Sequence, residues 1–197
     1  MIYPEYDLTP EEADAYCAGS ENQRVRQVIA DIVGDNYVLD VGCGNGIDAH
    51  RYDPRLYLGI DGSLALITAA IRKNPRYSFL RCDATDLPYS SWMHWTARSR
   101  KTVVVLKAIL EHAHSQEDAL TIYREALRVG QHVLVAWHTP PSWKLDAPII
   151  QPMTGHFGRA IYQNTYQAES FFLNEEAVGS RSISVAQVDN YQLWSIA

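Results

Sequence analysis

The sequence predicts an α/β fold with a doubly wound, mostly parallel sheet, built as a single domain of residues 1–197. Short apolar runs alternate with helical patterns along most of the chain, which is the order typical of βαβ units. The run Thr102–Leu106 is almost entirely β-branched, as expected of a strand that is buried on both faces. A chain of 197 residues, 47% of them hydrophobic, can form one sizeable core.

Two helices are predicted before the first strand. Thr9-Pro10-Glu11-Glu12 combines an N-cap Thr, a first-turn Pro and the Glu of a capping box. Ser20 starts a second capping pattern, and apolar residues then follow at helical spacing from Val25 to Val33. We interpret residues 1–19 as an N-terminal lid that carries Tyr3, Tyr6 and Tyr16.

Strands and helices alternate after that point. The strands are predicted at Tyr37–Val41, Leu56–Ile60, Tyr77–Arg81, Thr102–Leu106 and His132–Trp137. Ser63 and Ser115 are predicted N-caps of helices that run to about Lys73 and Val129. Two alternating runs, Ile183–Val188 and Tyr191–Ile196, flank Asp189-Asn190 and predict a C-terminal antiparallel hairpin.

Residues 140–175 interrupt this rhythm. Prolines and glycines are mixed there with aromatic residues, a composition that favours an irregular cap over a substrate. The aromatic residues predicted to line a substrate pocket are Trp143, Phe157, Tyr162 and Tyr166.

The overall charge disfavours a nucleic-acid partner. The net charge is −6, from 17 Lys and Arg against 23 Asp and Glu, whereas nucleic-acid binding depends on cations that neutralise phosphates. No apolar run is long enough for a membrane span, and the N-terminal residues lack a signal-peptide pattern. Cys17, Cys43 and Cys82 form no CxxC pair, so we expect a reduced, cytoplasmic setting.

The sequence VLDVGCGNG at residues 38–46 marks the ligand site. Three glycines at alternate positions after a strand let a ligand approach the backbone closely. A dinucleotide site requires GxGxxG, but Ile47 stands where the third Gly would fall. Asp40 would repel a pyrophosphate and would suit an ammonium or sulfonium group. Asp61, after the second strand, suits a ribose, although it also suits a helix cap.

The sequence resembles the class I S-adenosylmethionine-dependent methyltransferases. VLDVGCGNG is similar to the family's first motif, and YLGIDGS at 57–63, RCDATDLPY at 81–89 and VVVLKAILEH at 103–112 follow in the family's order. The resemblance implies S-adenosylmethionine as the cofactor. It also implies a seven-stranded sheet of order 3-2-1-4-5-7-6 with helices on both faces.

The resemblance assigns cofactor-binding roles by matched position. Asp40 and the loop of Gly42, Cys43, Gly44 and Gly46 would hold the methionine part, with the main chain of Leu106 and Lys107 near its ammonium. Asp61 and Gly62 would contact the ribose, and Asp83 and Ala84 would contact the adenine. Arg24 or Arg26 could pair with the cofactor carboxylate, although a surface role is favoured for both.

Three departures from the family pattern indicate a compact member. Thr102 replaces a frequent Asp, the turn before the fifth strand is reduced to Gly130-Gln131, and the segment after the first motif is short and contains Pro54. We therefore expect a turn there in place of a helix.

Methyl transfer needs a positioned nucleophile and, for a hydroxyl or ammonium, a base. His112 and His138 follow the fourth and fifth strands and are the candidate catalytic residues. Glu111, His112 and His114 could ligate a metal, but sequence neighbours on a loop often point apart, so no metal site is predicted. Trp92 and Trp95 are candidates for closing over the adenine.

These features predict methylation of an O or N atom on a small molecule. The alternative is a catalytically inactive cofactor-binding or scaffold protein with the same fold. An NAD-dependent enzyme is a third possibility, which the loop spacing and Asp40 disfavour.

Overall fold

A seven-stranded sheet forms the centre of the computed structural model, which describes residues 8–16, 23–88, 100–113, 115–138, 151–154, 160–163 and 178–197. The strands of this sheet are β1 Tyr37–Val41, β2 Tyr57–Asp61, β3 Ser78–Arg81, β4 Thr102–Lys107, β5 His132–His138, β8 Ile183–Val188 and β9 Tyr191–Ile196. Their order is β3-β2-β1-β4-β5-β9-β8. The first five are parallel, and β9 runs antiparallel to both β5 and β8. The predicted strand order and terminal hairpin are therefore confirmed.

Four α-helices accompany the sheet in the described residues. They are α1 Pro10–Ala15, α2 Gln23–Val33, α3 Leu64–Lys73 and α4 Gln116–Val129. Local sequence signals set their starts: Thr9 and Glu12 form a complete capping box, while the hydroxyls of Ser63 and Ser115 accept the N–H groups of Leu66 and Asp118. The predicted Ser20 cap lies outside the described residues.

The core has two main parts, one on each face of the sheet. Alternate residues of a strand point to opposite faces, so Val103 and Val105 pack with α2 whereas Val104 and Leu106 pack with α4. In β1, Val38 belongs to the α2 face and Val41 to the α4 face. This double coverage explains why the central strands are almost continuously apolar.

Two short 3₁₀ turns shape the edge of the sheet where the parallel strands end. Ala49–Arg51 follows the first glycine-rich loop, where the sequence predicts a turn in place of a helix. Leu110–His112 follows β4. Within the described residues, no helix is both long and apolar enough to cross a bilayer.

A second, two-stranded sheet lies within the segment predicted as an irregular cap. Its strands are β6 Gln151–Thr154 and β7 Ala160–Gln163, paired antiparallel. Pro152 is tolerated because each strand of a two-stranded sheet has one edge that needs no hydrogen bonds. Strand β7 lies against the Leu110–His112 turn. The cap therefore reaches the edge of the sheet where the site is expected.

Candidate functional site

A cleft opens at the carboxyl ends of β1, β2 and β4, where the strand order reverses. Its empty volume is about 820 Å³, part of which is open solvent. Its apolar walls are formed by Val41, Ile60, Leu66, Ile109, Ala113 and Ile122. The polar side chains on the walls are those of Tyr16, Asp61, Ser63, Asp83, Thr85 and His112.

The glycine loop, residues 42–46, follows β1 at the cleft, and Gly42 is its residue on the cleft wall. Its three glycines all have positive φ angles, of 73°, 58° and 74° in chain order. The N–H groups of Gly42 and Cys43 both donate to the Ile60 carbonyl, at 2.8 and 2.9 Å, which fixes the loop to β2. A Cβ on Gly42 would lie only 2.9 Å from Ile109 Cδ1, so a side chain there would push into the cleft wall.

Asp61 joins the glycine loop to the start of α3. Its Oδ2 accepts the Gly44 N–H at 2.9 Å, and its Oδ1 accepts the Ser63 N–H at 2.9 Å. The helix cap itself is supplied by the Ser63 hydroxyl. Burial raises the pKa of the Asp61 carboxyl, and the backbone N–H groups partly oppose that shift. Asp61 is therefore a fixed acceptor on the cleft wall.

Asp83 lies farther along the same wall, after β3. Its Oδ1 accepts both the N–H of Thr85 at 2.9 Å and the Thr85 hydroxyl at 2.7 Å. This Asx turn fixes the carboxylate, and Ala84 between them also lines the cleft.

Behind the glycine loop lies a buried charge cluster made of Asp40, Asp48, Arg26 and Lys107. Asp48 contacts Arg26 and Lys107, each at 3.0 Å, and Arg51 approaches it at 3.4 Å. Burial alone would raise the pKa of Asp48, but the Lys107 and Arg26 charges together outweigh it and lower that pKa. The cluster thus neutralises most of its own charge.

Asp40 belongs to this cluster and not to the cleft wall. Its Oδ2 accepts the Tyr57 hydroxyl at 2.9 Å, and only 4% of the residue is exposed. Burial and the neighbouring Asp48 raise the pKa of Asp40 to about 6. Alternation along β1 accounts for the orientation, because Asp40 shares the α2 face with Val38.

The end of β4 brings the backbone back toward the cleft. Leu106 is fully buried in the core, and Lys107 turns toward Asp48. Ala108 then has a φ of 53°, which is unusual for a residue with a side chain, and lines the cleft. The turn that follows carries His112 on the cleft wall.

The cleft brings together six of the thirteen residues predicted to be catalytic or cofactor-binding. The predicted site residues on its walls are Gly42, Asp61, Gly62, Asp83, Ala84 and His112. Asp40, Cys43, Gly44, Gly46, Leu106 and Lys107 support the site from behind and do not line it. His138 ends β5, and its side chain is outside what the structure describes. Tyr16 of the predicted lid is on the wall.

Other aromatic and metal candidates fall largely outside the described residues. This holds for Trp92, Trp95, Trp143, Phe157, Tyr166, Tyr3, Tyr6 and His114, and for the side chain of Tyr162. In the described part of the chain, no group of three His, Cys, Asp or Glu residues could hold a metal ion.

The two arginines before the first strand behave differently from each other. Arg24 is exposed and pairs with Asp189 at 3.3 Å, as the surface interpretation predicts. For Arg26 that interpretation is wrong, because the residue is 6% exposed and bonded to Asp48. Helical spacing from Val25 and Ile29 gives only an approximate face, so it did not identify this burial.

Asn45 in the glycine loop has a role that no local sequence pattern indicates. Its amide nitrogen contacts main-chain carbonyls of the N-terminal segment, including that of Ala13 at 3.0 Å. An Asn between two glycines is typical of a turn, so the local signal suggested nothing further.

Comparison with known proteins gives consistent matches. A family model described as a methyltransferase domain matches residues 38–131. A tRNA (carboxymethyluridine(34)-5-O)-methyltransferase of Saccharomyces cerevisiae is 33% identical over 53% of this chain and 44% of its own length. A demethylmenaquinone methyltransferase of Renibacterium salmoninarum is 27% identical over 72% of this chain and 57% of its own. The chain thus spans about half the length of these curated relatives.

Among solved structures, the DhpI–SAM–HEP complex superposes with a TM-score of 0.69 at 19% identity. The match covers 97% of this chain and 92% of that one. At 19% identity it shows that the two chains share a fold. The sheet order, the glycine loop and the match to the methyltransferase-domain model agree: the chain has the fold of this solved structure and is similar to methyltransferases over residues 38–131, a little under half of its length.

Proposed function

We propose that this chain transfers a methyl group from S-adenosylmethionine to an O or N atom of a small molecule. The observation that carries the proposal is the Asp61 carboxylate, fixed on the cleft wall by two backbone N–H groups beside the glycine loop. When bound, S-adenosylmethionine supplies a methyl group that is already activated on a sulfonium. The chain then has to bind the cofactor and the methyl acceptor, orient them towards each other, and exclude water.

The hydrogen-bond acceptors on the cleft wall fit the nucleoside half of this cofactor. An ionised carboxylate has about four lone-pair sites, and the N–H groups of Gly44 and Ser63 occupy two of those on Asp61. The remaining sites can accept the two ribose hydroxyls, with Gly62 beside them. Asp83 and Ala84 lie farther along the wall, where an adenine amino group and ring would bind.

The methionine half would lie over the glycine loop. Val41 pairs with Leu106 in the parallel ladder, so the loop and the end of β4 meet at one edge of the sheet. The main chain of Leu106 and Lys107 would accept from the cofactor ammonium, and Gly42, Cys43, Gly44 and Gly46 would give it room. Asp40 would act from behind the loop, by adding negative charge close to it.

The acceptor would bind between His112 and the cap. His112 lies on the cleft wall, and β7 packs against its 3₁₀ turn. A histidine there can remove the proton from a hydroxyl or ammonium nucleophile, and His138 at the end of β5 is a second candidate. A cap that lies so close to the turn favours a small acceptor over a broad docking surface.

A second candidate acceptor is an RNA nucleoside. The yeast relative named as a tRNA methyltransferase is the observation that favours it. The net charge of −6 favours the small molecule, since nucleic-acid binding gains most of its affinity from cations. A non-catalytic cofactor-binding protein is the remaining alternative.

A thermal-shift titration tests the cofactor site. We expect S-adenosylmethionine and S-adenosylhomocysteine to raise the melting temperature by about 5–10 °C at one hundred times their dissociation constants, with no shift from NAD or NADP. Asp61→Asn should abolish the shift, because the amide puts a donor against a backbone N–H and loses the ribose acceptor. Asp86→Asn, the same change at an exposed neighbour, is the control. Stabilisation by NAD alone would overturn the proposal.

A transfer assay then separates the acceptor classes. Cofactor with a radiolabelled methyl group is incubated with pools of small hydroxyl and amine compounds and, separately, with bulk tRNA. Label on a small molecule supports the proposal. Label on tRNA alone supports the second candidate. Cofactor binding without transfer to any pool supports the non-catalytic alternative.

A further inference from the structure

The amide nitrogen of Asn45 connects the glycine loop to the N-terminal segment. Nδ2 donates to the carbonyls of Ala13 at 3.0 Å and Asp14 at 3.4 Å, and it also contacts the carbonyl of Tyr16. Three carbonyl oxygens around one atom require a donor, so the orientation of the amide is fixed. Asn45 is 2% exposed, and its Oδ1 is buried with no partner in the part of the chain that the structure describes.

These carbonyls belong to the end of α1, where a helix needs partners. The last four carbonyl groups of a helix receive no hydrogen bond from an N–H group of the same helix. Helix α1 has only six residues and would be marginal on its own in water. Its C-terminal end is therefore held in part by a side chain that comes from the glycine loop.

Contacts with α3 hold the other side of the same helix. Leu8 and Ala13 pack against Leu66 and Ala69 in a small apolar cluster. Lys73 Nζ donates to the Asp14 carbonyl at 2.6 Å. Leu66 also lines the cleft, so α1 is packed against one of the cleft walls.

Tyr16, which follows directly on α1, lies on the wall of the cleft that Asp61 and Ser63 also line, and it packs against the apolar cluster that contains Leu66. The position of Tyr16 is therefore set in part by the contacts of Asn45, together with those of α1 on α3. We propose that Asn45 is a positioning residue: it holds the end of α1 so that Tyr16 closes the nucleoside side of the cofactor cleft. This inference rests on the proposed function.

The arrangement gives the cofactor and the lid one shared contact. The same loop that would carry the methionine part of the cofactor also carries the hydrogen bonds that dock the lid. When the docked state is less populated, the apparent affinity falls in proportion to its population. Because the lid covers a ligand that is already bound, we expect it to lower the dissociation rate of the cofactor more than it changes the association rate.

Asn45→Asp tests the inference with an almost isosteric change. The carboxylate places an oxygen against carbonyl oxygens, so α1 should detach. We expect faster hydrogen exchange of residues 10–16 and about tenfold faster dissociation of S-adenosylhomocysteine in stopped-flow measurements. Tyr16→Ala should speed dissociation to a similar degree, and the two changes together should add little.

Asn74→Asp is the matched control. Asn74 Nδ2 donates to the Gly46 carbonyl of the same loop at 3.1 Å and to the Ala70 carbonyl at 3.3 Å, and among the described residues it has no hydrogen bond to α1. This variant should leave the exchange of residues 10–16 unchanged. If Asn45→Asp speeds dissociation no more than Asn74→Asp does, or leaves the exchange of residues 10–16 unchanged, the inference is wrong.

Leu8→Ala approaches the same contact without altering the loop. It removes an apolar contact of the lid on α3, so it should also speed both exchange and dissociation even if Asn45→Asp does not fold. Normal dissociation with a detached α1 would overturn the inference and leave the proposed function intact. Failure of the wild-type chain to bind S-adenosylhomocysteine would overturn the proposed function, while the exchange data would still report on the Asn45 contact.

Discussion

At the scale of single residues, Asp40 shows how one carboxylate can oppose folding. It is buried in the charge cluster close to Asp48, and its pKa is about 6 against 3.8 for an ordinary Asp. At a pH between 3.8 and about 6, Asp40 of the folded chain keeps a proton that the unfolded chain releases. The contribution of Asp40 to stability is therefore complete below pH 4 and is lost as the pH rises through 6.

Asp40→Asn should raise the free energy of unfolding at pH 7, by at most about 3 kcal/mol for this shift of the pKa from 3.8 to about 6. The gain should appear between about pH 4 and 6 and then stay constant. Urea denaturation of both proteins across that range measures it. A gain that does not depend on pH would show that Asp40 is ionised in the folded protein throughout. The same variant should bind S-adenosylhomocysteine more weakly if Asp40 serves the methionine half.

His112 is the residue that most directly tests the chemistry. With an acceptor in hand, His112→Gln should leave the affinity for S-adenosylhomocysteine within about twofold and lower kcat by about 10²-fold or more, the usual contribution of a general base. His132→Gln is the control, because His132 begins β5 at the opposite end of the sheet and bonds to Ser195. An unchanged kcat would remove His112 as the base.

At the scale of elements, the conformation of the glycine loop requires glycine at position 42 for two reasons: the positive φ angle and the closeness of Ile109. Gly42→Ala imposes a φ of 73° on a residue with a side chain and brings its Cβ to 2.9 Å from Ile109 Cδ1. We expect a loss of about 1–3 kcal/mol in stability, with weaker cofactor binding because Ile109 moves into the cleft.

Gly179→Ala is the matched control for that change. Gly179 has a φ of 57°, but nothing lies within 4 Å of the point where a Cβ would stand. It should lose only the backbone part, about 1–2 kcal/mol, and bind the cofactor normally. Denaturation and calorimetric titration of both variants make the comparison. Equal effects on binding would mean that the loop tolerates a side chain.

The sequence predicts elements well where the signal is local. Thr9, Ser63 and Ser115 sit at the starts of their helices, and the caps they form need only residues three positions away. The pairing of β6 with β7 was missed, because its strands have four residues each and carry no strong alternation. The 32-residue separation of Asn45 from Ala13 likewise gives no local pattern to read.

The sequence predicts some residues of the candidate site, but it does not predict the charge cluster behind the glycine loop. Asp61 and Asp83 follow strands whose ends must meet at one edge of a parallel sheet, so their place on the cleft followed from the topology. The position of Asp40 behind the loop follows from the alternation of β1, but the charges around it come from α2, the turn after the loop and β4. Such a cluster can be recognised only when the three elements are packed together.

At the scale of the whole molecule, the order of the strands has a consequence for synthesis on the ribosome. Strand β9 lies between β5 and β8, although it follows both in the sequence. Until β9 emerges, β5 remains an edge strand with the apolar residues Val133–Trp137 and unpaired backbone groups, a template for pairing with other chains. The nascent protein therefore has a period in which the parallel part of the sheet is complete but prone to aggregate, and the pairing of β9 with β5 ends that period.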